Sequence, residues 1–198
     1  MRSVAFARRR LLALLLAGWL AAPALAQESS EPFATLSLRA GPTANVSDGR
    51  LHDFWQRSHG ALVAAETPFY AGRVEAGAAW QRFEARSDSL PRFDALFVYL
   101  GWRGQWEPAR WLRLSAGPRL GSYLMRFPDS EVSDFRRESE LMIALNARLG
   151  VRLTGRWRAF VAGSYQKLFT AQRIRMGYLT FGFGRTFETP GWLRSVLE

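Results

Sequence analysis

Residues 178–187 read YLTFGFGRTF. Counting back from Phe187, every second residue is large and mostly apolar, with Arg185 the one exception. The residues between them are small or polar, and they are Thr186, Gly184, Gly182 and Thr180. A period of two over this length predicts a β-strand with one bulky apolar face and one face of little volume. A strand of about ten residues is also long enough, when tilted, to cross a bilayer.

The same alternation recurs in seven earlier segments, so we expect eight strands. They cover residues 33–43, 60–66, 70–81, 94–106, 111–125, 138–153, 157–169 and 174–187. Short turns predicted at Thr67-Pro68, Pro108-Ala109 and Thr154-Gly155 alternate with longer connections at 45–59, 86–93, 126–137 and near 170. This arrangement predicts an all-β fold, an eight-stranded antiparallel up-and-down barrel.

Period two alone leaves open whether the apolar face points outward to lipid or inward to a ligand, as in a soluble lipocalin-like barrel. Lys167 is the only lysine, and every aspartate falls in or beside the longer connections. Tyrosine and tryptophan gather near strand ends, where girdles at the two membrane interfaces would lie. These are Tyr70, Trp80, Trp106, Trp111 and Trp157. The three features favour a transmembrane β-barrel.

The last strand resembles the closing strand of outer-membrane β-barrels, whose terminal aromatic residues the barrel-assembly machinery reads. The resemblance assigns this signal to Phe181, Phe183 and Phe187. The chain as a whole is similar to the small barrel superfamily that includes OmpA- and OmpX-like proteins and the lipid A barrel enzymes. That similarity implies periplasmic turns, outward-facing long loops, contact with outer-membrane lipid and lipopolysaccharide, and no cofactor. Arg185 on the apolar face and the extra residues 188–198 depart from the pattern.

The N-terminal segment has the pattern of an export signal. Arginines at positions 2 and 8–10 precede an apolar run at 11–20, and Ala24 and Ala26 form an A-x-A site. We therefore predict a signal peptide at 1–26 that is cleaved after Ala26, a barrel at 27–187 and a short tail at 188–198. Trp192, Leu193, Val196 and Leu197 predict a short amphipathic helix in the tail. With an even number of strands we expect the tail in the periplasm, packed on the inner leaflet surface or the barrel mouth, and docking on a periplasmic partner is the alternative.

Composition excludes several classes of function. The chain has no cysteine, so disulfides, thiolate chemistry and cysteine-ligated metals are excluded. A net charge of +10 is compatible with nucleic acid, but an exported chain is expected to meet anionic lipid instead. The sequence contains no glycine-rich phosphate loop and no cluster with metal-ligand spacing, so we predict neither a cofactor nor a metal.

The face opposite the apolar one carries many arginines and few acids. The predicted lumen network is Arg39, Arg73, Glu75, Arg103, Arg113, Arg119, Glu140, Arg148 and Arg152. An eight-stranded barrel has room for side chains and little else, so paired charges would plug it. Two alternatives remain, a narrow anion-preferring pore and an interior that holds a ligand.

A catalytic site has weak support. Some small barrels modify lipid A by acyl transfer, and such a site would combine a histidine of the first loop with an Asp-Ser pair of the second. His52 or His59 with Asp88 and Ser89 meet this description loosely. The leading expectation is a non-enzymatic structural or surface-interaction role, and a lipid A-modifying enzyme is the alternative.

Overall fold

The computed structural model describes residues 31–47, 51–88, 90–127, 137–169 and 174–197. The predicted signal peptide lies outside these ranges. The strands are β1 (Thr35–Asn45), β2 (His59–Phe69), β3 (Gly72–Phe83), β4 (Phe93–Ala109), β5 (Leu112–Arg126), β6 (Arg137–Arg152), β7 (Trp157–Leu168) and β8 (Arg175–Glu188). Two short helices are α1 (Leu51–Phe54) in the β1–β2 connection and α2 (Gly191–Leu197) after β8.

Each strand pairs antiparallel with the next, and β8 returns to pair with β1. The result is a closed eight-stranded barrel, as the alternation predicts. The connections β2–β3, β4–β5 and β6–β7 are short and lie at one end of the barrel. The start of β1 and the end of β8 lie at the same end. We call this the turn end, and we call the other, where the four longer connections lie, the loop end.

Two of the three predicted turns were wrong, because β2 and β4 run past their prolines. Thr67 and Pro68 pair with residues of β3, and the chain turns at Tyr70, whose φ is 48°. Pro108 lies in β4, where the pairing with β5 is irregular between Trp106 and Ala109. Proline has no N–H for the ladder, so strands accept it near their ends and at bulges. The third turn lies where predicted, with Gly155 at φ 51°.

The seam between β1 and β8 depends on two glycines. A Cβ at Gly182 would overlap the carbonyl oxygen of Ala40 and lie 2.8 Å from Gly41 Cα. A Cβ at Gly41 would in turn overlap the carbonyl oxygen of Phe181. The two backbones therefore approach to a distance that only glycine permits, at the position where the barrel closes.

The outer surface carries a band of exposed apolar side chains. Its middle includes Val63, Val98, Leu100, Leu120, Ile143, Leu145, Val161, Phe181 and Phe183. Towards the turn end it is bordered by Tyr70, Trp106, Trp111 and Trp157, and towards the loop end by Trp80, Tyr165 and Phe169. Neither helix in the described ranges has the length and apolar character that a membrane-spanning helix needs.

Arg185 interrupts the apolar outward row of β8 close to the turn end. Its guanidinium carbon lies 5.0 Å from the ring centre of Phe187 and 5.6 Å from that of Trp157. Both rings are near the turn end, where an arginine can lay its stem on apolar surface and keep its charged head in the polar interface.

Candidate functional site in the barrel lumen

The lumen is divided into an apolar half and a charged half. Most of the large inward side chains near the loop end are apolar or aromatic and almost completely buried, and they include Phe83, Phe97, Tyr123, Met142, Leu168 and Met176. Inward side chains further towards the turn end form a buried charged cluster of Arg39, Glu66, Arg73, Glu75, Arg103, Arg119 and Arg148. Both halves follow from the alternation, which sends every second residue of each strand inward.

Two glutamates form the centre of the charged cluster. Glu66 of β2 and Glu75 of β3 are direct cross-strand partners, and their side chains are 4% and 0% exposed. Like charges at directly opposed positions repel each other, and burial strengthens the repulsion. This pair therefore requires strong cationic partners on both sides.

Glu75 is held by three arginines from three other strands. Arg119 of β5 donates to Glu75 Oε1 at 2.8 Å, and Arg39 and Arg103 pair with Glu75 Oε2. The guanidinium of Arg119 also lies 4.4 Å from the centre of the Tyr99 ring. Tyr99 in turn lies over Gly77, where a Cβ would collide with the phenol.

Glu66 has a second set of partners. Arg148 Nη2 of β6 donates to Glu66 Oε1 at 2.9 Å and lies 2.8 Å from Oε2, so one nitrogen contacts both carboxylate oxygens. Arg73 Nε lies 3.3 Å from Glu66, and Arg73 also donates to Ser37 Oγ at 3.2 Å. Five buried arginines thus surround two buried carboxylates, which leaves this part of the lumen with an excess of positive charge.

The remaining predicted lumen residues lie elsewhere. Arg113 is near the turn end, where it donates to Glu107 at 2.5 Å. Arg152, predicted inside, is exposed at the turn-end mouth. Glu140, predicted among the arginines, is level with Tyr123 near the loop end and forms no ion pair with them within the described ranges. The network is therefore smaller and deeper than the sequence predicted.

Sequence reasoning misses two members of this region, Glu66 and Arg158. The predicted second strand ends at Glu66, directly before Thr67-Pro68, and a residue at a strand end has no clear inward or outward direction. Arg158 of β7 faces the lumen and lies 3.7 Å from Glu107. Strict alternation from Leu62 and Ala64 to Glu66, and from Phe160 back to Arg158, carries the signal for both.

A vestibule opens from the charged half to the turn end. Its volume is about 900 Å³, and it is lined by six arginines, Arg73, Arg110, Arg113, Arg152, Arg156 and Arg158. Glu107 is the only carboxylate among its lining residues. Behind it lies a cavity of about 30 Å³. Its charged lining residues are Arg39, Glu66, Arg113, Arg148 and Arg158, and the hydroxyls of Ser37 and Thr186 lie beside them.

The loop end is closed by packed aromatic rings. Phe97 meets Tyr123 edge to face at 4.2 Å, and Tyr178 at 5.6 Å. Above them, Trp55 of the first loop lies edge-on to Phe93 at 5.3 Å and donates through its indole N–H to the carbonyl of Pro91. The first loop thus folds over the mouth and docks on the second.

The histidines do not form a catalytic group with Asp88. His52 Nε2 lies 3.0 Å from Asn45 Oδ1, and its Nδ1 lies 3.3 Å from the carbonyl of Trp55. His59 and Asp88 are both exposed, and no hydrogen bond joins either histidine to Asp88 within the described part of the chain. Ser89 lies outside the described residues. His52 therefore helps to hold the first loop in place.

The same part of the chain contains no group of three or more histidine, aspartate and glutamate side chains placed to hold a metal ion. Arginines are the most numerous charged side chains of the described lumen, and guanidinium groups suit anions.

A closed antiparallel barrel with an apolar band outside and packed polar side chains inside has the fold of the small eight-stranded outer-membrane β-barrels. Solved structures agree. Neisserial surface protein A has a TM-score of 0.59 and 11% identity, with 80% of this chain and 100% of that chain covered. OprG from Pseudomonas aeruginosa has a TM-score of 0.55 and 12% identity, with 79% of this chain and 97% of that chain covered. Ail from Yersinia pestis, in a phospholipid bilayer nanodisc, has a TM-score of 0.50 and 16% identity, with 78% of this chain and 99% of that chain covered.

At identities this low the likeness defines the fold alone. No protein-family model matches the sequence, and no curated protein matches it.

Proposed function

We propose that this protein is an outer-membrane β-barrel with a structural or surface-interaction role and no catalytic activity. The observation that carries the proposal is the exposed apolar band with aromatic borders, which surrounds the barrel and would be unstable in water. A lipid environment turns the same band into a favourable surface.

The proposed orientation places the turn end in the periplasm and the loop end outside the cell. In bacterial outer-membrane barrels the short turns are periplasmic and the longer loops are extracellular. The docked first and second loops then belong to the outer face, which meets lipopolysaccharide or a surface partner. Helix α2 lies in the periplasm and exposes Trp192 and Val196.

Biogenesis follows from the same proposal. An N-terminal signal peptide directs export, and the barrel-assembly machinery recognises the aromatic row of β8. Phe181 and Phe183 are each 58% exposed on the outer face, where a catalyst of insertion can contact them before lipid does. Phe187 is half-buried near the turn end.

Cell fractionation tests the location. We expect the full-length chain, expressed in a Gram-negative host, to sediment with the outer membrane and to migrate faster on gels before heating than after it. Closed barrels resist unfolding in detergent, which causes this difference. Recovery in the soluble periplasm, with no heat-dependent shift, would contradict the proposal.

A separate measurement addresses catalysis. Mass spectra of lipid A from cells with and without the protein should be identical, because His52 Nε2 lies 3.0 Å from Asn45 Oδ1 and no hydrogen bond joins it to Asp88 within the described residues. A change in acylation that His52→Ala abolishes would establish the enzymatic alternative instead.

A further inference from the structure

We propose that the turn-end vestibule binds a multivalent phosphate-bearing anion, held by the guanidinium groups of Arg113, Arg152 and Arg158. This inference goes beyond the proposed function, because it assigns a ligand class to the lumen. It also applies to the folded barrel in detergent and does not depend on the protein's location in the cell.

The first argument is charge. Six arginines and one carboxylate, Glu107, line the vestibule, and two of the arginines, Arg73 and Arg156, pair with Glu66 and Glu188 outside its lining. Glu107 is already engaged with Arg113 at 2.5 Å and Arg158 at 3.7 Å. Arg110 and Arg152 form no ion pair with any of the described residues. Concave sites lined by one sign of charge focus the electric field and concentrate the opposite ion, so this vestibule attracts anions.

The second argument is a cross-strand pair of like charge. Arg152 of β6 and Arg158 of β7 are direct partners in the register of the sheet. Directly opposed like charges destabilise a sheet. A bound anion between the two guanidinium groups would turn this repulsion into attraction, whereas a structural role alone gives no reason for the pair.

The third argument is buried donors that the protein leaves without acceptors. Arg158 Nη1 is buried with no hydrogen-bond partner, and the same is true of Arg39 Nε. Arg39 Nε lies 3.8 Å from the nearest Glu66 oxygen, which is too far for a hydrogen bond. Both residues line the small cavity behind the vestibule, where Glu66 is the one carboxylate among five charged lining residues. A buried N–H without an acceptor carries a desolvation cost, which an anion bound in the cavity would remove.

A phosphate group fits these donors better than a single carboxylate does. A phosphate group offers several oxygens, so it can accept from more than one guanidinium at once, often in bidentate pairs. The vestibule, at about 900 Å³, is larger than one phosphate needs, and its net charge suits a ligand with more than one charged group. A phosphorylated solute and the phosphate of a lipid headgroup share this chemistry.

Calorimetric titration of the refolded full-length protein in nonionic detergent tests the inference. The probes are sodium tripolyphosphate for the free solute and short-chain phosphatidic acid for the headgroup, with citrate as a carboxylate comparator. We expect one of the phosphate probes to bind and to raise the temperature of unfolding. The tighter of the two identifies the source.

The variants are Arg152→Gln and Arg158→Gln, alone and together, with Arg175→Gln as the matched control. Arg175 is an exposed strand arginine at the loop end. Each vestibule substitution should weaken phosphate binding roughly tenfold, because it removes a charge-assisted hydrogen bond. The control should bind as the wild type does. Heat-modifiable migration verifies that every variant is folded.

Without ligand, the double variant should unfold at the wild-type temperature or above it, because the cross-strand repulsion is gone. This result separates a binding role from a purely structural one. Three outcomes would overturn the inference. They are the absence of phosphate binding, equal binding by the double variant and the wild type, and citrate binding as tight as that of either phosphate probe.

Discussion

At the scale of single residues, the two buried glutamates decide whether the lumen is stable. Each is the shared acceptor of several arginines, so removal of one carboxylate leaves more than one buried cation without its partner. Desolvated charges are stable only when they are paired and hydrogen-bonded. The cluster is thus most sensitive at its two acids and less so at any one of its five arginines.

Glu75→Gln tests this asymmetry. The substitution keeps the shape of the side chain but removes the charge that Arg39, Arg103 and Arg119 share. We expect the free energy of unfolding to fall by about 3 kcal/mol or more, the loss that follows when a buried pair is broken. Guanidinium chloride unfolding in lipid vesicles, followed by tryptophan fluorescence, measures it.

Glu188→Gln is the control for that experiment. Glu188 pairs with Arg156 at 2.5 Å, but its side chain is 80% exposed, so solvent screens the interaction. We expect a change of less than about 1 kcal/mol. Similar losses for both substitutions would mean that the lumen cluster is not the main electrostatic contribution to stability.

At the scale of elements, the seam between β1 and β8 determines closure. Every other strand pair is formed by neighbours in sequence, whereas this pair joins the two ends of the sheet. Its backbones are closest at Gly41 and Gly182, where a side chain has no space. Closure is therefore more sensitive to substitution at these glycines than to loss of any single outward contact.

Gly182→Val should prevent the barrel from closing. Its Cβ would overlap the backbone of β1, which cannot move without breaking the ladder. We expect loss of the heat-modifiable species on gels. Gly163→Val is the matched control, because Gly163 is exposed on β7 and a Cβ added there would have no atom within 4 Å. Normal migration of Gly182→Val, or failure of both variants, would contradict this account.

Helix α2 is the other element with a testable role. It is tied to the barrel by an ion pair between Arg194 and Glu31 at 2.9 Å, and it exposes Trp192 and Val196. A seven-residue helix is unstable alone, so it depends on a surface that covers its apolar side chains. In the proposed orientation, the aromatic border at the turn end puts the membrane interface beside this helix.

Deletion of 190–198 should leave the barrel folded, because β8 ends at Glu188 and all its ladder bonds remain. Normal heat-modifiable migration would establish this. In the full-length protein, brominated lipids should quench part of the tryptophan fluorescence, and Trp192→Phe should reduce the quenched part, because the proposed location puts this indole against lipid. If the quenching were unchanged, Trp192 would be exposed to water or covered by a partner protein.

At the scale of the whole molecule, the packed lumen argues against a pore. The apolar half places Phe97, Tyr123 and Tyr178 in mutual contact across the barrel, each less than 5% exposed. The charged half is filled by side chains that bind one another. The vestibule at the turn end therefore ends inside the barrel without reaching the loop end.

Planar bilayer recordings should accordingly show no discrete conductance steps for the purified protein at either polarity. Ion passage would require several buried rings to move together, which costs packing energy at each contact. Heat-denatured protein serves as the control for detergent artefacts. Stable steps with anion selectivity would instead support a narrow arginine-lined pore.

Much of this architecture could be predicted from period two, including the number of strands and which residues face inward. Prediction was weakest at strand ends. Thr67-Pro68 and Pro108-Ala109 have the composition of turns, but β2 and β4 continue through them because neighbouring strands supply the pairing. The error at β2 concealed Glu66, the acid on which half of the charged cluster depends.

The sequence by itself determined the alternation, the antiparallel order and the two faces of the barrel, because these depend on neighbours along the chain. Only the tertiary structure decided which charges meet. Arg148 reaches Glu66 across 82 positions of sequence, and Arg119 reaches Glu75 across 44. Such contacts depend on the stagger between strands once the sheet closes, so a pattern within one strand cannot specify them. Closure likewise gave the inward residues of YLTFGFGRTF different surroundings. Tyr178 lies in the apolar half of the lumen, Gly182 lies at the seam, and Thr186 lies beside the arginines.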